Sequence, residues 1–280
     1  MTGIYKSEQG AKLILQRYDE VLDHWPVPSS RHRIPTQAGE TFVVSSGPTD
    51  ASPVVLLHGS GANANTWAVD IATWSTDHRV HAVDLLGEPG HSAGTRLPLD
   101  SDDTATWLDE VLDHLGVDST ALVGMSLGGW TALDYAIRRS ARVSRLVVMC
   151  PGGIGKQTWG WIPKAMILRA FGARGTRRTV RLVTGLGGAE TDHILGDVSL
   201  TFTHFRPRTE KLPIFSDSAL QGISIPMQVI LGADDVMMDS TETADRVARC
   251  IPHASVNVLP GVGHAILGQT DPIHEFLRTA

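Results

Sequence analysis

Six short apolar runs with helical patterns between them constrain this fold more than any other feature of the chain. They are Val54-Val55-Leu56-Leu57, Arg79-Val80-His81-Ala82-Val83-Asp84, Thr120-Ala121-Leu122-Val123, Leu146-Val147-Val148-Met149, Met227-Gln228-Val229-Ile230-Leu231 and Val256-Asn257-Val258-Leu259. Runs this short and this rich in β-branched residues read as buried strands of a mostly parallel sheet. Thr41-Phe42-Val43-Val44 adds a strand ahead of them. Parallel neighbours need crossover connections, and the segments Trp107 to Leu115, Ala132 to Ile137, Thr241 to Arg249 and Pro272 to Leu277 carry helical spacing. The alternation predicts an α/β fold with helices flanking one sheet.

Two stretches stand outside that alternation. Residues 5–23 place Leu13, Ile14, Leu15, Tyr18, Val21 and Leu22 at mostly helical spacing, which predicts an amphipathic helix ending before Pro26 and a polar connection through Pro28, Ser29 and Ser30. Residues 151–225 contain no clear strand and many glycines, so they read as a mostly helical insertion, a cap, between two parts of a core formed by 1–150 and 226–280. The insertion holds ten Lys/Arg and five Asp/Glu, whereas the whole chain of 280 residues has a formal charge of −6. That overall balance gives no reason to expect nucleic acid or an anionic membrane as partner. The only cysteines, Cys150 and Cys250, exclude a disulfide framework, and no CxxC or HExxH spacing for a metal occurs. Met1 to Glu8 lack the apolar run of a signal peptide, and no stretch approaches the roughly 18 apolar residues of a membrane span. The expectation is a soluble cytoplasmic protein without a cofactor.

The chemistry begins at Gly124-Met125-Ser126-Leu127-Gly128, a G-x-S-x-G sequence between an apolar run and a helical pattern. Such a turn exposes its serine above the carboxyl end of a sheet, beside a helix N-terminus, and marks Ser126 as a nucleophile. A serine hydroxyl needs a base. Of twelve histidines, His264 is the best placed, in the glycine-rich loop after the last run. His78, His114, His193 and His274 read as surface or helix-end positions, and His58 and His91 as loop residues. The base needs an orienting carboxylate, and Leu231-Gly232-Ala233-Asp234-Asp235 offers two at a strand end, Asp235 first and Asp234 as the alternative. Asp239 reads as an acid at a helix start. The order Ser, Asp, His is the one this strand–turn–helix setting predicts. Backbone N–H groups of Leu127 and of Ser60, the latter in His58-Gly59-Ser60-Gly61, are candidate oxyanion donors.

These motifs resemble the α/β-hydrolase fold superfamily, in its serine-nucleophile, carboxylesterase-like branch. The resemblance runs from about Phe42 to Leu277 and rests on His58-Gly59-Ser60-Gly61, Asp84 to Ser92, Gly124 to Gly129, Gly232-Ala233-Asp234-Asp235 and Gly263-His264. It implies an acid three residues after the strand-end glycine, which is Asp235, and a helical cap at 151–225. It also implies ester hydrolysis on a small-molecule substrate. Serine at 126 disfavours the dehalogenase and epoxide hydrolase branches, which use an aspartate there. Carbon–carbon hydrolases of ring-cleavage products share Pro151-Gly152-Gly153-Ile154-Gly155, but usually carry tryptophan after the catalytic histidine, where this chain has Ala265. Lactonase, perhydrolase and small-molecule receptor are further alternatives on the same scaffold. Trp159 and Trp161, near the start of the insertion, are candidates for substrate binding, and with Ile162, Met166, Ile167, Leu168 and Phe171 they read as lining an acyl pocket or packing the cap on the sheet. Arg174, Arg177, Arg178 and Arg181 form a basic run that reads first as a solvated helix face. The N-terminal helix is free to meet the cap or the second subunit of a homodimer.

Overall fold

The computed structural model describes residues 3–279; Met1 and Thr2, part of the segment read for a signal peptide, lie outside the described residues. The strands are β1 Ser29–Ile34, β2 Thr41–Ser46, β3 Ser52–Leu57, β4 His78–Val83, β5 Thr120–Met125, β6 Val143–Met149, β7 Met227–Gly232 and β8 Ser255–Leu259. The helices are α1 Glu8–Asp23, α2 Ile71–Trp74, α3 Asp103–His114, α4 Leu127–Arg138, α5 Ile162–Arg169, α6 Gly172–Thr184, α7 Asp192–His204, α8 Asp217–Gln221, α9 Ser240–Cys250 and α10 Thr270–Arg278. The strands form one sheet in the order β1-β2-β4-β3-β5-β6-β7-β8. It is parallel from β4 to β8 and antiparallel where β2 meets β1 and β4.

Period-two alternation sends each strand's side chains to opposite faces. Val55, Leu57, Leu122 and Val148 pack with Trp107 and Leu108 of α3, Leu133 of α4 and Val247 of α9. Val54, Leu56, Val123 and Val147 pack on the other side with Tyr18 of α1, Trp74 of α2 and Leu277 of α10. Both faces are therefore covered, which is why the strands read as continuous apolar runs. After β3 the chain lays β4 on one side of it and later β5 on the other. That reversal opens a crevice at the carboxyl ends of β3 and β5, the place where open α/β sheets bind ligands.

The structure departs from the sequence reading at several points. Residues 29–34, read as a connection, form β1; their polar character reflects an edge strand whose side chains are mostly exposed. β8 is the opposite edge, so Val258 is exposed rather than buried. α1 begins at Glu8, because the Ser7 hydroxyl accepts the Gly10 N–H at 3.0 Å as an N-cap and Tyr5 instead bridges to Phe205. His78 is buried at the start of β4, not on the surface. α4 starts at Leu127, five residues before the point read from the pattern, and takes Gly128 and Gly129 into its first turn.

Gly128 is there because of a close approach. A side chain at this position would run into the Leu57 carbonyl at the end of β3, so only glycine lets α4 dock against the strand. Gly128→Ala is expected to lower the melting temperature by roughly 10 °C, or about 3 kcal/mol. Thermal unfolding followed by circular dichroism checks this, and an unchanged midpoint would show that α4 can shift freely.

Residues 151–225 leave the sheet after β6 and return at β7, carrying α5 to α8. Their roots are hydrogen-bonded to the core: Thr158 N–H donates to Met237 O at 2.8 Å and Ala265 N–H to Thr184 O at 2.9 Å. The N-terminal segment holds them from the other side. Lys6 N–H donates to His204 O, Arg206 N–H to Ile4 O, and the Arg17 guanidinium grips Asp197 at 2.9 and 3.2 Å. No helix among the described residues is long and apolar enough to cross a membrane.

Candidate active site

Ser126 is the N-cap of α4 and has φ 53° and ψ −108°, a left-handed-side backbone that a serine adopts only when its surroundings hold it there. Three bonds do so. Ser126 N–H donates to Met149 O at 2.9 Å, while its carbonyl accepts Trp130 N–H at 2.9 Å and Gly152 N–H at 3.3 Å. The turn lifts the hydroxyl out of the sheet, and the residue stays partly accessible.

His264 reaches this hydroxyl from the loop after β8. Its Nε2 lies 2.9 Å from Ser126 Oγ and its Nδ1 lies 2.7 Å from Asp235 Oδ2. The second Asp235 oxygen accepts the N–H groups of Met237 at 2.7 Å and Met238 at 3.1 Å, which fixes the carboxylate plane. Asp234 is exposed and takes no part. The Asp235 side chain is fully buried and that of His264 nearly so. Burial works against protonation of His264, and the Asp235 carboxylate 2.7 Å away favours it. An imidazolium formed during a reaction is thereby stabilised. The Cys150 thiol also donates to the His264 carbonyl at 3.1 Å.

The turn 58–61 lies against the serine: a Cβ built on Gly59 would sit 3.5 Å from Ser126 Cβ. His58 is a rivet in this turn. It is fully buried, its Nδ1 is 2.8 Å from Gly59 O, and its Nε2 accepts the Leu85 N–H at 2.9 Å. Burial lowers its pKa and keeps it neutral, so it tethers β3's end to β4's end. The Asp84 to Ser92 segment has a similar structural role. Asp84 accepts Tyr18 O–H at 2.9 Å and the N–H groups of Ala64 and His91 at 2.8 Å each. Asp239 caps α9 by accepting Glu242 N–H at 2.9 Å.

Three residues near the site receive no role from the sequence patterns. Glu88, almost fully buried, accepts Gly61 N–H at 2.6 Å and the Ser60 hydroxyl at 3.2 Å. Burial raises its pKa to about 7, against the opposing pull of those two donors and of Arg96 and Arg208. Phe202 of α7 lies directly over Gly61, where any side chain would strike its ring. Cys150 is the third. All three depend on contacts between segments far apart in the chain, which local patterns do not encode. Of the residues singled out in the insertion, Met166, Ile167 and Phe171 are exposed rather than packed on the sheet, Trp159 is half-exposed with Lys211 Nζ 5.7 Å from its ring centre, and Trp161 is partly buried. Neither indole hydrogen-bonds to Ser126, His264 or Asp235 among the described residues. A separate gathering of Asp77, His78 and His274 offers metal-ligand atoms, but Arg278 Nε donates to Asp77 Oδ2 at 3.1 Å and puts a fixed cation beside it.

Glu88 gives the fold a specific pH response. Its carboxyl has an ordinary pKa of 4.5 when unfolded and about 7 when folded. Between those values the folded protein holds the extra proton, so stability falls as pH rises through that window. The full loss, on the order of 3 kcal/mol, is in place above pH 7. Glu88→Gln is expected to flatten the melting temperature between pH 5 and 8. Parallel profiles for the variant and the parent would contradict this.

The profile of the Alpha/beta hydrolase family matches residues 54–279, and the chain belongs to that family. Among its relatives is the carboxylesterase YbfK of Bacillus subtilis (strain 168), 28% identical over 260 residues that cover 90% of this chain and 87% of that one. The crystal structure of carboxylesterase CesB (YbfK) from Bacillus subtilis superposes with a TM-score of 0.82 at 27% identity, covering 95% and 96% of the two chains. That of naproxen esterase from the same organism gives 0.80 at 26%, covering 96% of each. A meta-cleavage product hydrolase shares the fold, with a TM-score of 0.70 at 22% identity over 89% of this chain and 98% of that one.

Proposed function

We propose that this protein hydrolyses carboxylic esters of small molecules by an acyl-enzyme mechanism, with Ser126 as nucleophile, His264 as general base and acid, and Asp235 as its orienting carboxylate. The observation that carries the reading is the hydrogen-bonded chain from a partly accessible Ser126 Oγ to His264 at 2.9 Å and on to Asp235 at 2.7 Å. His264 takes the serine proton as Oγ attacks the ester carbonyl. The oxyanion is met by the N–H of Leu127, at the start of α4, and by that of Ser60 in the turn packed against Ser126. Each such donor contributes about 2.7–4 kcal/mol in well-studied cases. His264⁺, steadied by Asp235, protonates the leaving alcohol, and water then repeats the sequence on the acyl-enzyme. The mechanism calls on the chain, the ester and water alone. Residues 151–225 act as the cap over this site, with Phe202 above the oxyanion turn, and Trp159 and Trp161 at its root. A cytoplasmic setting goes with this reading, supported by two unpaired buried cysteines.

Similarity to esterases over most of the chain favours esters over carbon–carbon bonds, and Ala265 beside His264 points the same way. The test is a panel of p-nitrophenyl esters of rising chain length, run beside a vinylogous diketone acid. The expected result is ester turnover with the diketone acid left intact. Faster cleavage of the diketone acid would instead assign the chain to carbon–carbon hydrolysis.

A further inference from the structure

We propose that the outward face of α5 docks on an anionic phospholipid surface, so that the cap sits against lipid while the sheet domain remains in water. Pro163, Met166, Ile167, Ala170 and Phe171 fall at positions i, i+3, i+4, i+7 and i+8, a single apolar stripe on α5 and the residues just after it. In a soluble domain such a stripe faces the core. Here all five are exposed, with Met166, Ile167 and Phe171 at 69%, 68% and 61%, and Trp159, at 43%, stands just before the helix. Large apolar side chains clustered in solvent mark an interaction surface.

Charge identifies the occupant. Lys164, Arg174, Arg178 and Arg181 are exposed on α5 and α6, and Lys211 lies over the Trp159 ring. Residues 151–225 carry ten basic and five acidic side chains, whereas the remaining residues carry 14 basic and 25 acidic. The insertion is therefore net positive and the rest of the chain net negative, and Lys164, Arg174, Arg178 and Arg181 put exposed positive charge on α5, which bears the stripe, and on the adjoining α6. An anionic lipid headgroup layer satisfies both features at once. A second copy of the chain meeting this face symmetrically would bring two positive caps together. α5 is only eight residues long, so the contact is one of lying on the surface rather than spanning it.

The placement joins this face to the site. The segment leading into α5 is bonded to the loop that follows Asp235, through Thr158 and Met237, and the end of α6 is bonded to the loop of His264, through Thr184 and Ala265. The α5–α6 hairpin is thus rooted at the acid and the base, with its apolar side turned outward. If the ester reading above holds, lipid-dissolved esters are the substrates this arrangement serves; the docking itself does not depend on that reading.

The experiment is flotation of the full chain with vesicles of dialkyl ether phospholipids, which contain no ester to hydrolyse. Phosphatidylcholine vesicles are compared with phosphatidylcholine and phosphatidylglycerol mixed about 7:3, at low and high salt. The expected result is binding to the anionic vesicles that weakens at least about tenfold without phosphatidylglycerol or at high salt. The double variant M166D/F171D should lose binding by at least about tenfold while keeping its melting temperature and its turnover of soluble p-nitrophenyl acetate. Absence of flotation by the parent, or equal flotation by the double variant, would overturn the proposal. So would a dimer in sedimentation that the double variant converts to monomer, which would assign the face to a second copy. Loss of p-nitrophenyl acetate turnover in the parent would count against the esterase reading alone.

Discussion

Alanine at position 126 is expected to lower kcat on p-nitrophenyl esters by roughly 10⁵–10⁶-fold, with the melting temperature unchanged. The size follows from what is removed. Without Oγ there is no atom for His264 to deprotonate, and water must attack without a base aligned for it. In the proposed mechanism what remains is stabilisation of the oxyanion by backbone N–H groups, and an oxyanion hole with substrate binding alone gives about 10³–10⁴ over water in comparable enzymes. Stability should hold because Ser126 secures its turn through backbone groups, to Met149, Gly152 and Trp130, and alanine keeps all three. Residual turnover within about tenfold of the parent would move the nucleophile elsewhere.

Asp235→Asn is expected to lower kcat by about 10⁴-fold while KM changes little. The substitution is nearly isosteric, and the amide oxygen can still accept the N–H groups of Met237 and Met238. The loop into the cap therefore stays in place. With the oxygen so committed, the amide nitrogen faces His264 Nδ1 and donates to it. That selects the tautomer with its proton on Nε2, so the ring can no longer take one from Ser126. It also removes the charge that supports the imidazolium. A loss in kcat with an unmoved melting temperature distinguishes this role from a structural one. An equal loss on replacing the exposed Asp234 would contradict the choice between the two acids.

Much of the arrangement is legible in the sequence because it sits at strand ends. In a doubly covered sheet the apolar runs mark the strands, and the residues just beyond them must lie on one edge. Ser126, Asp235 and His264 each follow such a run, so spacing alone narrows the candidates to a few atoms. Edge strands are harder. β1 reads Ser-Ser-Arg-His-Arg-Ile, which carries no apolar alternation because one side of it pairs with β2 and the rest meets solvent. The start of α4 is hidden for a different reason: Gly128 and Gly129 look like helix breakers, and only the approach of the Leu57 carbonyl to the first and of Pro151 to the second explains their place inside the helix.

Residues 151–225 leave the sheet after β6 and return at β7, but which of their side chains face outward does not show in the sequence. Their charge excess is visible in composition, yet whether Met166, Ile167 and Phe171 face the core or solvent is decided by how α5 is rooted in the loops of Asp235 and His264. Glu88 and Phe202 likewise acquire their roles from tertiary contacts, one beneath the turn at Gly61 and the other above it.

The most direct test of nucleophilic catalysis at Ser126 is reaction with a fluorophosphonate, followed by intact mass measurement and peptide mapping. The account predicts one phosphonyl adduct per chain, placed on Ser126, and none on Ser126→Ala. A folded protein that takes up no label, or takes it up at another residue, would contradict it.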